Sequence, residues 1–334
     1  MKIEYARAAD REEILAFLLS VFQRNNPKHA PFEDIYPDLF LPDDEVMGRH
    51  AVIREDGRIA ACVGTYPMLL QICGCRVLTA GVGQVATRLE STGKGYMTAL
   101  LNQELDRCRR EGCVLGWLGG RRDRYSHFGF DVAGLNYDYY MDAHSLRHVA
   151  RSRRIDHVKA TEPGAITEAM FALRDKTVNS VIEPLDTFRL QMTRLGFDFE
   201  IWTATPEGAE APDAWAVVDA SHGRIEEWCG SLDGRAEIAL ACAERGKVMR
   251  METCADVETS AFLREASFYR SPSGRNLCVL DRDGLVAAMR PFLPKDFALP
   301  PDSLSPCELV RTLFGPDPGS AACLPFCIPG IFHV

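Results

Sequence analysis

A chain of 334 residues with 46% hydrophobic and 25% charged residues has the composition of a soluble globular protein, long enough for about two domains of ordinary size. Its net charge of −9 argues against a nucleic-acid partner gripped through phosphates and is compatible with cationic substrates. The opening residues are mixed rather than basic then apolar, and no apolar run approaches membrane-spanning length, so a cytoplasmic protein with no membrane partner is expected.

The first strand is expected over 2–6. Asp10, with Glu13 three residues on, reads as a capping box opening a helix over 11–22, whose apolar Ile14, Phe17, Leu18 and Val21 share one face. Residues 23–49 are rich in Asn, Pro and Asp yet hold Phe32, Tyr36 and Phe40, the composition of a loop that carries specificity. Strands over 50–54 and 59–65 flank the turn Glu55, Asp56, Gly57, and strands over 68–72 and 76–80 flank Cys73, Gly74, Cys75. A further short strand over 84–87 completes an antiparallel meander.

The meander delivers the chain to Gly93 and Gly95, spaced to expose backbone N–H groups where a helix starts. Such a turn binds phosphate, because the first helical N–H groups lack internal partners and the helix dipole favours negative charge there. On the two glycines alone, a plain strand-to-helix turn is an equal reading. Met97, Leu100, Leu101, Leu105 and Cys108 give the following helix an apolar face that ends near Gly112. A buried strand over 113–118, a short helical turn over 123–130 closed by Gly129, and a strand over 135–141 follow.

The basic residues Arg147, Arg151, Arg153 and Arg154 read as a linker, the start of a second domain or a solvated helix face. Helices are expected over 162–174 and 188–195, a hairpin over 215–218 and 224–228, a helix over 235–245 and a strand over 248–252. Hairpin, helix and strand repeat the logic of the first half. Residues 230–234 stand where a phosphate loop would, but without Gly-x-Gly no cofactor is expected there. A strand over 277–281, a helix over 284–292, an extended stretch over 294–306 and an apolar run over 324–334 that favours packing complete the chain.

The 12 cysteines are dispersed, with Cys73 and Cys75, and Cys323 and Cys327, as close pairs and no Cys-x-x-Cys, so buried thiols are expected rather than zinc. His144 and His148 share helical spacing, but no nearby carboxylate completes a metal site, and no metal is expected.

Residues 1–145 resemble the GCN5-related N-acetyltransferase (GNAT) superfamily through two motifs. Thr92, Gly93, Lys94, Gly95, Tyr96 and Met97 are similar to its acetyl-coenzyme A loop, Arg/Gln-x-x-Gly-x-Gly/Ala, with Gly95 matching and Thr92 and Met97 departing. Tyr125 to Phe130 resembles its Tyr-x-x-x-Gly-Phe element. Residues 309–315 and 324–334 resemble the multidomain enhanced-intracellular-survival (Eis-type) acetyltransferases. The resemblance implies an α/β (α+β) fold: a mixed, mostly antiparallel sheet flanked by helices over 1–148, and a second, degenerate acetyltransferase-like domain over 149–334 whose C-terminal segment packs back on the first.

The resemblance further implies acetyl-CoA as co-substrate. Its diphosphate would rest on Thr92 to Met97, and its pantetheine and thioester on the backbone of Val85, Ala86 and Thr87. Tyr125 would protonate the departing thiolate, and the Val334 carboxylate would serve as base, with Glu33 and Asp34 as alternatives. The acceptor would be a small-molecule or peptidyl amine, and a homo-oligomer could accompany this activity. The rival is a catalytically silent module that binds coenzyme A or a small ligand, which the loss of Arg/Gln at Thr92 favours.

Overall fold

The computed structural model describes residues 1–315, apart from 175, 178, 247, 248 and 254–256, together with 324–326 and 328. Its strands are β1 (Ile3–Tyr5), β2 (His50–Glu55), β3 (Arg58–Ile72), β4 (Cys75–Thr87), β5 (Leu115–Leu118), β6 (Asp131–Met141), β7 (Arg153–Lys159), β8 (Asn179–Ile182), β9 (Phe199–Pro206), β10 (Ala214–Asp219), β11 (Arg224–Gly230), β12 (Met249–Thr253) and β13 (Tyr269–Val279). They form one mixed, mostly antiparallel sheet in the order β1-β2-β3-β4-β5-β13-β6-β12-β11-β10-β9-β7, with β8 added to β3.

That order reads as two copies of one plan. In each half an edge strand (β1, β7) leads to an antiparallel trio (β2-β3-β4, β9-β10-β11), then a long helix (Tyr96–Arg110, Leu232–Glu244), then a strand parallel to the last of the trio (β5, β12). The closing strands interleave: β13 of the second half pairs with β5, and β6 of the first half pairs with β12. The two meet as neighbours at the centre of the sheet.

The helix Arg11–Phe22 forms where its apolar spacing predicts, with Ile14, Leu15, Phe17 and Leu18 buried. Its expected capping box does not form. A 3-10 turn over Ala8–Asp10 has already brought Asp10 to helical angles, so its carboxylate accepts instead from the Arg7 N–H at 2.9 Å and from Arg54 Nη2 at 2.8 Å. Glu13 accepts from the Ile59 N–H at 3.1 Å, so the acids tie the helix to the first hairpin.

The expected meander is present with fewer breaks. Both turns are two-residue loops, Asp56-Gly57 and Cys73-Gly74, with every φ between +47 and +78°, the geometry that matches the right-handed twist of the flanking strands. β3 and β4 run on as single long strands because β8 supports the distal arm, with Leu69 opposite Ile182 and Ile72 opposite Asn179. In the second half, β7 begins within the arginine-rich stretch: Arg153 pairs with Asp213 at 3.0 Å and with Glu237 at 3.1 Å, while the rest of this edge strand is largely exposed.

Candidate active site

β4 pairs with β5 only through Thr79, Ala80 and Gly81, opposite Leu115, Gly116 and Trp117. Residues 82–87 continue along β3 with no strand on their other edge among the described residues, which opens a gap in the sheet between the end of β4 and the end of β5. Three structures border it: a bulge in β4, the glycine turn, and the short helix after β5.

The bulge lies where Gly64 opposes Gly83 while Cys62 opposes Ala86, so Gln84 and Val85 face the single residue Val63. Gln84 takes φ +49°, a left-handed conformation that costs a non-glycine residue about 1–2 kcal/mol and re-aims the local peptide groups. A buried chain of contacts holds it. The Tyr66 hydroxyl donates to Gln84 Oε1 at 2.6 Å and lies 2.9 Å from His50 Nε2, and His50 Nδ1 lies 3.2 Å from the Met47 carbonyl oxygen. Gly64 makes the room, since a Cβ there would sit 2.2 Å from the Tyr66 hydroxyl oxygen. Burial pushes His50 down to about 4, and a neutral imidazole has one N–H, so it serves either the tyrosine or the carbonyl.

In the turn, Gly93 at φ +83° and Gly95 at φ +78° are both left-handed, and a Cβ on either would meet nothing within 4 Å. Backbone conformation, not crowding, requires glycine here. Gly95 caps the helix Tyr96–Arg110 without a side-chain hydrogen bond and no acid enters its first turn, whereas Arg107, Arg109 and Arg110 complement the dipole at the other end. A turn of this kind presents backbone N–H groups and a positive helix end to an anion.

The side chains of the turn are already engaged. Thr92 Oγ1 donates to the Arg88 carbonyl at 3.2 Å, and Lys94 Nζ donates to Glu55 Oε1 at 2.7 Å. Glu55 also accepts from Ser91 Oγ and from the Tyr96 hydroxyl, and these donors hold its carboxyl down at about 2. Nothing in the sequence marks Glu55, a residue ahead of an Asp-Gly turn, as the brace of a loop so distant along the chain.

Across the gap, the helix Arg122–Tyr125 follows β5 and leaves Tyr125 9% exposed, edge-on to Phe130 at 6.3 Å. Its hydroxyl has no hydrogen-bond partner among the described residues, and burial raises its pKa, so it carries its proton at neutral pH. Tyr125 belongs to the apolar cluster that includes Val82 and Leu118 and against which Val85, Tyr96 and Met97 pack.

The Tyr125 turn is gripped by the helix Pro306–Phe314. Arg311 and Arg122 both donate to Asp131, Cys307 Sγ donates to the Ser126 carbonyl at 3.2 Å, and a Cβ on Gly129 would lie 2.9 Å from Cβ of Pro306. This helix opens with a capping box, Ser305 and Glu308 around Pro306, a signature the sequence carries in plain form at the end of the stretch expected to be extended.

Of the base candidates, Glu33 is half-buried and Asp34 exposed on the short helix Phe32–Ile35, and Val334 lies outside the described residues. Among the described residues of the second half no comparable cradle forms. The Ser231 hydroxyl caps the helix Leu232–Glu244 by accepting from the Gly234 N–H at 3.1 Å, and a Cβ on Gly234 would lie 2.6 Å from Cβ of Ala214. Among the described residues, no helix is long and apolar enough to cross a membrane, and no three His, Cys, Asp or Glu side chains are grouped to hold a metal.

Residues 2–133 match the family model of an acetyltransferase (GNAT) domain. No curated protein matches the sequence significantly. Among solved structures, a probable N-acyltransferase from Enterococcus faecalis V583 is 14% identical with a TM-score of 0.64, over 85% of this chain and 74% of that one. A GCN5-related N-acetyltransferase from Kribbella flavida is 18% identical with a TM-score of 0.64, over 86% and 73%. Eis1 from Mycobacterium abscessus is 16% identical with a TM-score of 0.59, over 86% and 76%. At these identities the likeness is one of fold.

Proposed function

We propose that this chain, whose residues 2–133 match the model of a GNAT acetyltransferase domain, is an acetyl-CoA-dependent N-acetyltransferase built from units 1–148 and 149–334. What supports the reading is an uncapped helix start at Gly95 and a bulged edge of β4 beside one gap, with Tyr125 in the apolar cluster against which Val85, Tyr96 and Met97 pack and its hydroxyl without a hydrogen-bond partner among the described residues. The loop fits a diphosphate because its N–H groups and helix dipole point out of a turn free of acidic side chains in the first helical turn.

Acetyl-CoA supplies the thioester. The backbone of Gly93 to Met97 receives its diphosphate, and the bulged edge at Val85, Ala86 and Thr87 donates to the pantetheine and to the thioester oxygen, where negative charge grows as an amine attacks. Tyr125, kept protonated by burial, gives its proton to the departing sulfur. An alkyl amine is mostly protonated at neutral pH and needs a base; Val334 is the residue that the Eis-type resemblance implies, with Glu33 and Asp34 as the other carboxylates. The acceptor is a small-molecule or peptidyl amine.

A second reading, a module that binds coenzyme A or another small ligand without turnover, draws on Thr92 and Lys94. The hydroxyl of one is turned onto Arg88 and the ammonium of the other is paired with Glu55, which leaves the diphosphate mainly backbone contacts. Thiol release from acetyl-CoA, followed with a panel of primary amines for wild type and Tyr125→Phe, separates the two. The enzyme reading expects turnover that falls in the variant with acetyl-CoA affinity retained; binding without turnover for any amine supports the silent module.

A further inference from the structure

Tyr66 is 6% exposed, and its hydroxyl holds the side chain of Gln84, the non-glycine residue of the β4 bulge with a left-handed backbone. Ala86, two residues beyond Gln84, packs with the cluster under the helix Arg11–Phe22, while Val85 packs with the cluster that contains Tyr125. Gln84 therefore points away from the donor side, toward Tyr66, whose other partner His50 lies tilted beside Phe40 of the 23–49 loop with ring centroids 4.9 Å apart.

The left-handed backbone at Gln84 re-aims the peptide groups of β4 at the bulge, and among the described residues the Gln84 side chain is anchored by the Tyr66 hydroxyl. We propose that Tyr66 is a positioning residue for the acetyl group: by holding Gln84 Oε1 it fixes the β4 bulge, whose peptide groups receive the thioester oxygen. The inference rests on the acetyl-CoA reading above. It also makes the end of the 23–49 loop part of the donor site, because the Met47 carbonyl and His50 continue the same chain of contacts.

Such a device acts on the acetyl carbonyl and not on the diphosphate cradle, so it is read by comparing acetyl-CoA with free coenzyme A, which lacks the carbonyl. Calorimetric affinities for both ligands are measured on wild type, Tyr66→Phe, Gln84→Met and the double variant, with thermal melting alongside. The expected result is wild-type preference for acetyl-CoA, a loss of about tenfold in acetyl-CoA affinity in each single variant, as one hydrogen bond is removed, and coenzyme A affinity unchanged. The double variant should be no worse than the weaker single variant, because both substitutions cut one link.

Equal losses for both ligands, additive losses in the double variant, or an unchanged preference would overturn the inference while leaving the acetyl-CoA reading in place. A wild type that binds acetyl-CoA no better than coenzyme A would do the same. A wild type that binds neither ligand would overturn the reading and the inference with it.

Discussion

The ammonium of Lys94 lies 2.7 Å from the Glu55 carboxylate, which hangs from the end of β2 beneath the glycine turn. Lys94 is thereby neutralised in place, and the anion cradle depends on backbone. Lys94→Ala should change acetyl-CoA affinity by less than about threefold, as expected for an exposed pair. Gly95→Ala forces a side chain into the left-handed region at φ +78° and should weaken binding by about tenfold. Calorimetry on the two variants reads both, and the reverse ranking would return the diphosphate to the lysine.

Asp131 is 3% exposed and accepts from Arg122 on the Tyr125 helix and from Arg311 on the helix Pro306–Phe314. Asp131→Asn removes the charge both guanidinium groups share and should lower stability by about 2 kcal/mol. Turnover should fall with it as the Tyr125 turn loosens, while KM for acetyl-CoA holds. Denaturant melts and steady-state kinetics check the two effects separately.

His50 is neutral in the fold because burial holds it at about 4, against 6.5 when exposed. Below pH 6.5 the unfolded chain takes up a proton that the folded chain refuses, so stability falls as pH drops through that window and levels off near 4. The loss is about 3 kcal/mol. His50→Gln should flatten this part of the pH–stability curve, measured by chemical denaturation from pH 7 to pH 4; an unchanged slope would assign the acid sensitivity elsewhere.

Glu183 is buried between Arg174 Nη1 at 3.0 Å and Gln191 Nε2 at 3.0 Å, and burial together with nearby Glu227 pushes its carboxyl up to about 7 despite Arg174. The folded state then binds the proton more tightly, so its contribution is full below about pH 4.5 and is lost as pH rises through 7. Glu183→Gln removes the charge and keeps the bond from Arg174 to its one amide oxygen, while its NH2 can no longer accept from Gln191 Nε2. It should raise Tm by about 2 °C at pH 8 and leave it unchanged or lower at pH 5.

Several of these elements were legible from residue order alone. Ile14, Phe17, Leu18 and Val21 marked one helix, Met97 to Cys108 another, and Asp56-Gly57 the first hairpin, because each signal is local. The repeated plan of the second half was visible in its hairpin, helix and strand. β7 escaped because an edge strand facing water needs few apolar residues and carries charges that deter pairing with other chains. The length of β3 depends on β8, and the centre of the sheet on β13 entering beside β5, neither of which leaves a local mark.

The candidate site divides in the same way. The glycine turn and Tyr125 are short motifs and were readable. Glu55, His50, Tyr66 and Gln84 were not, since each is ordinary where it stands and acquires its role only when separate strands bring it to a partner.

The most direct test of the account is acetyl-CoA titrated into wild type and Tyr125→Phe, with thiol release from a primary-amine panel recorded on the same preparations. The account predicts that both proteins bind acetyl-CoA with similar affinity and that the variant loses most of its turnover. Absence of binding by the wild type at millimolar acetyl-CoA, or full turnover in Tyr125→Phe, would contradict it.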